Sequence, residues 1–301
     1  RNYYYVNPKS ATKELLFDND EMAVQLSQFT HNVVNPVKLD LSDLKFSEDQ
    51  KSFVFQYRSK KYDYNRVTRK LKEVKEEKKM SFLQCFTYKQ TWAFAAGKFM
   101  TDGVWWFFLF WTPSYLNSQF GIKMSEGLGV ALIFTLYAIT MLSIYGGKLP
   151  TIIINKTGLN PYAARMRAML IFAFIPLLVL LAQPMGTISP WFPIILIGLG
   201  GAAHQSWSAN IFSTIGDMFP KSAIATVTGI GGMAGGVGSM ILQWFAGWLF
   251  VYADETAMQF MGFEGKPAGY FVVFCICAVA YLIGWIVMKT LVPKYKPIVL
   301  D

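Results

Sequence analysis

Hydrophobic and polar positions divide the chain into two unlike parts. Up to about Val74 the apolar residues come in short groups separated by polar turns. Tyr3 to Val6 predicts a strand, followed by a turn at Asn7-Pro8-Lys9-Ser10. Leu15, Leu16 and Phe17 predict a returning strand closed by Asp18-Asn19-Asp20. Glu21 to Phe29 predicts a short helix. Leu44 to Phe46, Ser52 to Tyr57 and Tyr62 to Tyr64 predict further strands. Phe53, Phe55 and Tyr57 share one face by the period of two, and Ser47-Glu48-Asp49-Gln50 is a turn. From Thr91 onward the pattern changes to long, unbroken apolar runs. Six are predicted: Thr91 to Leu116, Gly127 to Tyr145, Ala168 to Met185, Trp191 to Phe212, Ile224 to Tyr252 and Tyr270 to Val292. A membrane-spanning helix needs roughly 20 mainly apolar residues. Lipid offers backbone groups no partners, and continuous rather than alternating apolar character selects helices.

The predicted architecture is an all-α membrane bundle of six transmembrane helices preceded by a small β-rich segment. Its expected parts are a soluble segment over 1–74, a charged linker over 75–90 containing Lys75, Glu76, Glu77, Lys78 and Lys79, and a membrane domain over 91–297.

Charge sharpens this division. Residues 1–80 hold 16 of the 28 Lys and Arg and 12 of the 19 Asp and Glu. The remaining residues are too poor in charge to cover a water-facing surface, so lipid is their expected partner. The net charge of +9 would suit nucleic acid, but the distribution argues against it. In residues 1–80 bases alternate with acids. In the apolar part the bases gather in loops on one side: Lys89; Lys148, Lys156, Arg165 and Arg167; Lys221; Lys289, Lys294 and Lys296. The other side has Lys123 and Lys266 with Glu126, Asp254, Glu255 and Glu264. The positive-inside rule makes the first side cytoplasmic, and the expected location is a bacterial inner membrane. Cys85, Cys275 and Cys277 have no metal-site spacing and read as buried, inert thiols; no cofactor is expected. The first residue is Arg and no signal-peptide pattern follows, so the sequence reads as a fragment.

The most specific chemistry lies in the fourth apolar run. His204, Gln205, Ser206, Trp207 and Asn210 crowd a stretch otherwise made of Ile, Leu, Gly and Ala. Polar groups in lipid face a bundle interior or a wet cavity. His204, Trp207 and Ile211 share one helical face, and Ser206 and Asn210 form the neighbouring stripe. Such a face can donate to a polyhydroxy carboxylate and offer it a flat ring. His204 has a second reading, a hydrogen bond to a neighbouring helix; Trp207 has one too, as packing. Lys98 and Asp102 stand at i and i+4, either a structural ion pair or a coupling element. Trp105 and Trp106 read as interior packing, with one of the two facing a cavity. Gly231 with Gly235, and Gly232 with Gly236, read as close helix packing.

With these residues in view, the sequence resembles the hexuronate branch of the anion:cation symporter family within the major facilitator superfamily. Lys89-Gln90-Thr91-Trp92, Gly97-Lys98-Phe99, Thr101-Asp102 and Trp105-Trp106-Phe107 are similar to that branch's seventh helix. Gly146-Gly147-Lys148-Leu149 through Gly158 and Arg165 resembles the superfamily's cytoplasmic loop motif, although Pro150 departs from it. The His204 run and the Gly229 to Gly235 stretch resemble the tenth and eleventh helices. The resemblance implies the C-terminal half of a major facilitator fold, moving an organic anion with protons by alternating access. It further implies that His204, Gln205, Ser206, Trp207, Asn210 and Thr228 line the substrate cavity, with Trp105, Phe108 and Trp111 adding aromatic surface. The expected partners are a sugar acid, protons, the lipid bilayer and a missing N-terminal six-helix half.

A second resemblance concerns the first part. Lys45 to Phe55, and Lys61 to Tyr64 with Thr68, Leu71 and Val74, are similar to a β-propeller blade of dipeptidyl peptidase IV-like enzymes. That family's nucleophile sits in a Gly-x-Ser-x-Gly elbow, which this sequence lacks. No enzymatic activity is therefore expected, and the alternative reading is a fusion or fragment without independent activity.

Overall fold

The computed structural model describes residues 2–7, 12–74 and 80–300. The expected turn at Pro8-Lys9-Ser10 and the run Lys75 to Lys79 lie outside them. The chain divides into two compact units, 1–78 and 79–301.

In the first unit β1 (Tyr4–Asn7) pairs with β2 (Thr12–Leu15), so the returning strand ends where it was expected to begin. Helix α1 (Asn19–Thr30) starts at Asp18, whose carboxylate accepts from the N–H groups of Asp20 and Glu21, satisfying otherwise orphaned donors. It buries Met22, Ala23 and Leu26. A four-stranded antiparallel sheet follows, β3 (Leu41–Phe46), β4 (Ser52–Tyr57), β5 (Lys60–Asn65) and β6 (Lys70–Val74), in that spatial order. Phe53, Phe55 and Tyr57 are buried on one face, as alternation requires. Phe53 meets Tyr64 with ring centroids 5.4 Å apart, and Phe55 stacks on Tyr62 at 5.9 Å. Ser47 to Gln50 forms the turn, with Gln50 N–H donating to Ser47 O at 2.9 Å.

The second unit begins with a single turn, α2 (Phe82–Cys85). Six long helical stretches follow among the described residues. The first is α3 (Lys89–Phe120). The second runs α4 (Gly127–Thr140), a 3-10 stretch (Met141–Tyr145) and α5 (Leu149–Thr157). The third runs α6 (Pro161–Phe174), a 3-10 stretch (Ile175–Leu181) and α7 (Ala182–Gly186). Then come α8 (Trp191–Met218), α9 (Lys221–Glu255), a small hairpin of β7 (Gln259–Phe260) and β8 (Phe263–Glu264), and α10 (Lys266–Leu291). Helix α5 corrects the expectation of a loop between Gly146 and Gly158. Pro150 sits in its first turn, where a missing N–H costs nothing, and Gly158 closes it with φ 67°.

Among the described residues, four stretches are long and apolar enough to cross a membrane: Gly127–Thr157, Pro161–Gly186, Lys221–Glu255 and Lys266–Leu291. Helices α3 and α8, of 32 and 28 residues, have the length. Polar and indole side chains keep their composition below that level. These two helices are the inner ones: α3 packs mainly on α9 and α10, and α8 mainly on α4 and α6. The apolar surface points outward, with Phe134, Tyr137, Met240, Trp244 and Ile286 all exposed. That inverts the water-soluble pattern and suits lipid. Trp106, expected inside, is also exposed and stacks on Phe110.

The ends of the helices sort by charge. At one end Gln90 Nε2 donates to Lys296 O (2.9 Å), Tyr162 Oη to Val292 O (2.7 Å) and Arg165 Nε to Asp217 Oδ2 (2.6 Å). This end gathers the start of α3, the start of α6, the end of α8 and the end of α10. At the other, Gln183 Nε2 donates to Gln119 Oε1 (2.9 Å) and Tyr115 meets Tyr270 at 5.0 Å.

Candidate functional site

Three helices converge on the middle of the bundle. From α8, His204 places Nδ1 2.7 Å from the Tyr281 hydroxyl on α10. That hydroxyl also lies 3.5 Å from the Thr101 carbonyl on α3. Trp105, one turn along α3, stacks on the His204 imidazole at 5.4 Å with planes 5° apart. Trp207 meets Tyr281 edge-on at 5.5 Å. His204 is 5% exposed, whereas Trp207 and Tyr281 are fully enclosed. Trp207 Nε1 is buried without a hydrogen-bond partner among the described residues.

Beside this cluster, Lys98 Nζ and Asp102 Oδ2 form an ion pair at 2.8 Å, with side chains only 8% and 16% exposed. The ammonium also lies 4.4 Å from the centroid of Phe212 on α8, a cation–π contact. The Asp102 carboxylate rests against Gly235 of α9, in space that a Cβ there would fill. Gly231 admits the Phe94 ring in the same way. Gly232 and Gly236, by contrast, face open space. Of the two overlapping glycine spacings, only the first packs against α3. The Lys98–Asp102 pair is thus built into the seam where α3 meets α8 and α9.

The remaining expected residues fall elsewhere. Ser206 Oγ donates to Ala202 O (2.9 Å) within its own helix. Asn210 Nδ2 donates to Ser206 O (2.8 Å) and Gly146 O (3.4 Å). Asn210 therefore ties α8 to the second helical stretch, and Ser206 packs against Gly146 there. Phe108 is buried against Gly200. Trp111 Nε1 donates to Gln243 Oε1 (2.7 Å) and its ring meets Phe250 at 4.8 Å, which ties α3 to α9. Gln205 is half-buried on α8 and Thr228 half-buried on α9. The structure thus joins His204, Trp105 and Trp207 in one cluster and separates them from Ser206, Asn210, Phe108 and Trp111. Sequence reasoning missed Tyr281 and Gln243. The available signal for Tyr281 was a tyrosine beside Cys277, Ala278 and Ala280 in the interior of the last apolar run.

An outward-facing apolar surface around a polar, charge-paired seam defines an integral membrane protein, and its family makes it a transporter rather than an enzyme. The chain belongs to the Major Facilitator Superfamily, which it matches over residues 43–243, and it is a multi-pass membrane protein. Among curated proteins it is similar to the hexuronate transporters of Escherichia coli K12 and Escherichia coli O157:H7. Each is 28% identical over 229 residues, covering 75% of this chain and 48% of the relative. The chain spans about half the length of the curated relatives it matches. No solved structure matches it.

Proposed function

We propose that the chain supplies the C-terminal six-helix half of a transporter that carries a hexuronate or related sugar acid, together with protons, across a bacterial inner membrane. Its complement is an N-terminal six-helix half. The observation that carries this reading is the His204–Tyr281–Trp105 cluster: a hydrogen-bonded imidazole stacked on an indole, on inner helices of a bundle related to hexuronate transporters. On this reading all six stretches span the bilayer, including α3 and α8, whose polar residues are sheltered by their neighbours.

Within the site, the sugar acid meets His204, Gln205, Trp105 and Thr228. In the tautomer where Tyr281 Oη donates to Nδ1, Nε2 carries the imidazole hydrogen and donates to a substrate oxygen. Trp207, Ser206, Asn210, Phe108 and Trp111 hold the helices that present those groups. The Lys98–Asp102 pair serves coupling: its ammonium can exchange a carboxylate on its own helix for one brought by the substrate.

The test is uptake of radiolabelled galacturonate into proteoliposomes under an imposed proton gradient. The chain alone should accumulate none; joined to the N-terminal half of an Escherichia coli hexuronate transporter it should accumulate label. Robust proton-driven accumulation by the chain alone would overturn the half-transporter reading.

For the first unit, the four-stranded antiparallel order of β3 to β6 favours a propeller-blade origin, joined to the membrane part by fusion. Sequencing genomic DNA across residues 74–90 tests this: an uninterrupted natural reading frame, translated as one polypeptide, would refute an artefactual junction, and a break there would refute the natural fusion.

A further inference from the structure

The charge-rich end of the bundle carries a cavity of about 420 Å³ between the start of α3 and the segment that follows α10. That segment does not trail away. Ile298 N–H donates to Met218 O (2.8 Å), Tyr295 Oη to Asp217 O (3.2 Å), and Lys296 O accepts from Gln90 (2.9 Å). It is a strap tied to the end of α8 and the start of α3, and the cavity lies against it.

The cavity's lining has two chemistries. Lys89, Lys294 and Lys296 supply three ammonium groups, and Leu291, Pro297 and Val299 supply apolar wall. No ion pair engages any of these three lysines among the described residues, whereas Lys98 and Arg165 are both paired. All three are exposed, and together they give the hollow a positive potential that favours an anion. The cavity opens where α10, one of the four membrane-length stretches, ends at Leu291. That is the level at which a bilayer's headgroups meet its acyl chains.

We propose that this cavity binds the phosphate headgroup of an anionic phospholipid, with the glycerol and first acyl carbons against Leu291, Pro297 and Val299. The shared chemistry is a phosphate oxyanion. The apolar half of the lining selects lipid over free phosphate, because a small hydrated ion leaves that wall unused. Basic pockets at helix ends on the cytoplasmic side are the recognised setting for such headgroups. The site is separate from the His204 cluster and stands whether or not the substrate is a hexuronate.

The experiment is native mass spectrometry of the full chain released from detergent, titrated with dioleoyl phosphatidylglycerol, dioleoyl phosphatidylcholine or inorganic phosphate. Phosphatidylglycerol should remain bound where phosphatidylcholine is stripped. Each lysine near a charged headgroup is worth roughly fivefold, so K89Q/K294Q/K296Q should weaken phosphatidylglycerol binding about a hundredfold. K123Q/K266Q, at the opposite end, should leave it unchanged. The single variants K294Q and K296Q are at exposed positions and give an independent reading if the triple variant misfolds; each should show its own fivefold loss. Equal retention of both lipids would overturn the proposal. So would undiminished binding by the lysine variants, or full displacement of lipid by equimolar inorganic phosphate.

Discussion

Replacing Tyr281 with Phe removes one oxygen from a fully enclosed polar contact in the bundle. The ring remains, so its edge-on contact with Trp207 and its packing beside His204 persist. What is lost is the 2.7 Å bond to His204 Nδ1. A buried polar group left without a partner costs about 1–3 kcal/mol. Hydrogen bonds between helices in lipid average about 0.6 and reach about 1.7 kcal/mol, because the unfolded chain in the membrane also finds partners. Both partners here are essentially enclosed and the bond is short, so Y281F should destabilise by about 1–2 kcal/mol. Y281A also loses the ring and should cost about 3–5 kcal/mol. The assay is unfolding by sodium dodecyl sulfate in maltoside micelles, followed by far-UV circular dichroism, as a double-mutant cycle with H204A. The coupling energy should be about 1 kcal/mol. A Y281F protein within about 0.3 kcal/mol of the parent, with no coupling to H204A, would refute the contact and the positioning of the imidazole built on it.

Other perturbations test neighbouring features. In the same unfolding assay K98M and D102N should each destabilise by about 3–5 kcal/mol, because each strands a buried partner, while K98M/D102L should recover much of that loss. G231A should cost about 1–3 kcal/mol by forcing the Phe94 ring aside. G232A, one residue on and facing open space, should instead stabilise by about 0.4–1 kcal/mol. In the first unit, the hydrogen bond from Ser47, then that from the Lys51 N–H, holds the Asp49 carboxyl below its ordinary value. The stability it contributes is therefore present above the unfolded carboxylate value of 3.8 and lost as pH falls through the folded one. Hydrogen-exchange mass spectrometry of residues 41–65 should show D49N less protected than the parent at neutral pH, with the difference vanishing on acidification.

The sequence-to-structure correspondence is closest where one chain segment decides its own environment. Strand β4 was readable because Phe53, Phe55 and Tyr57 alternate with polar neighbours and one face must be buried. The His204–Trp207–Ile211 face was readable for the same reason at helical period. Strand β6 was not predicted as a strand: as an edge strand it buries only Leu71, so Lys70, Lys72 and Glu73 hide the pattern. Helix α5 reads as loop in the sequence because Gly146, Gly147 and Pro150 are breakers in isolation, yet the proline falls where a helix tolerates it. Choices that depend on a partner far along the chain were hidden. Gly231 and Gly232 have the same spacing to a second glycine, and only the approach of Phe94 and Asp102 distinguishes them. Tyr281 stands 77 residues from His204, and no periodicity links the two.

On the six-span reading, α3 and α8 reach the bilayer under different circumstances from their greasier companions. A segment carrying Lys98 and Asp102 is a poor candidate to leave the insertion machinery unaided. Its shelter, α9, starts 101 positions after α3 ends, which at ~5–20 residues per second is a wait of roughly 5–20 seconds during synthesis. Until then the salt-bridged pair must be chaperoned by the translocon or by whichever neighbour has already emerged. Biogenesis of this bundle is therefore timed by its most hydrophilic member, and truncation before α9 should leave α3 stranded for membrane quality-control proteases.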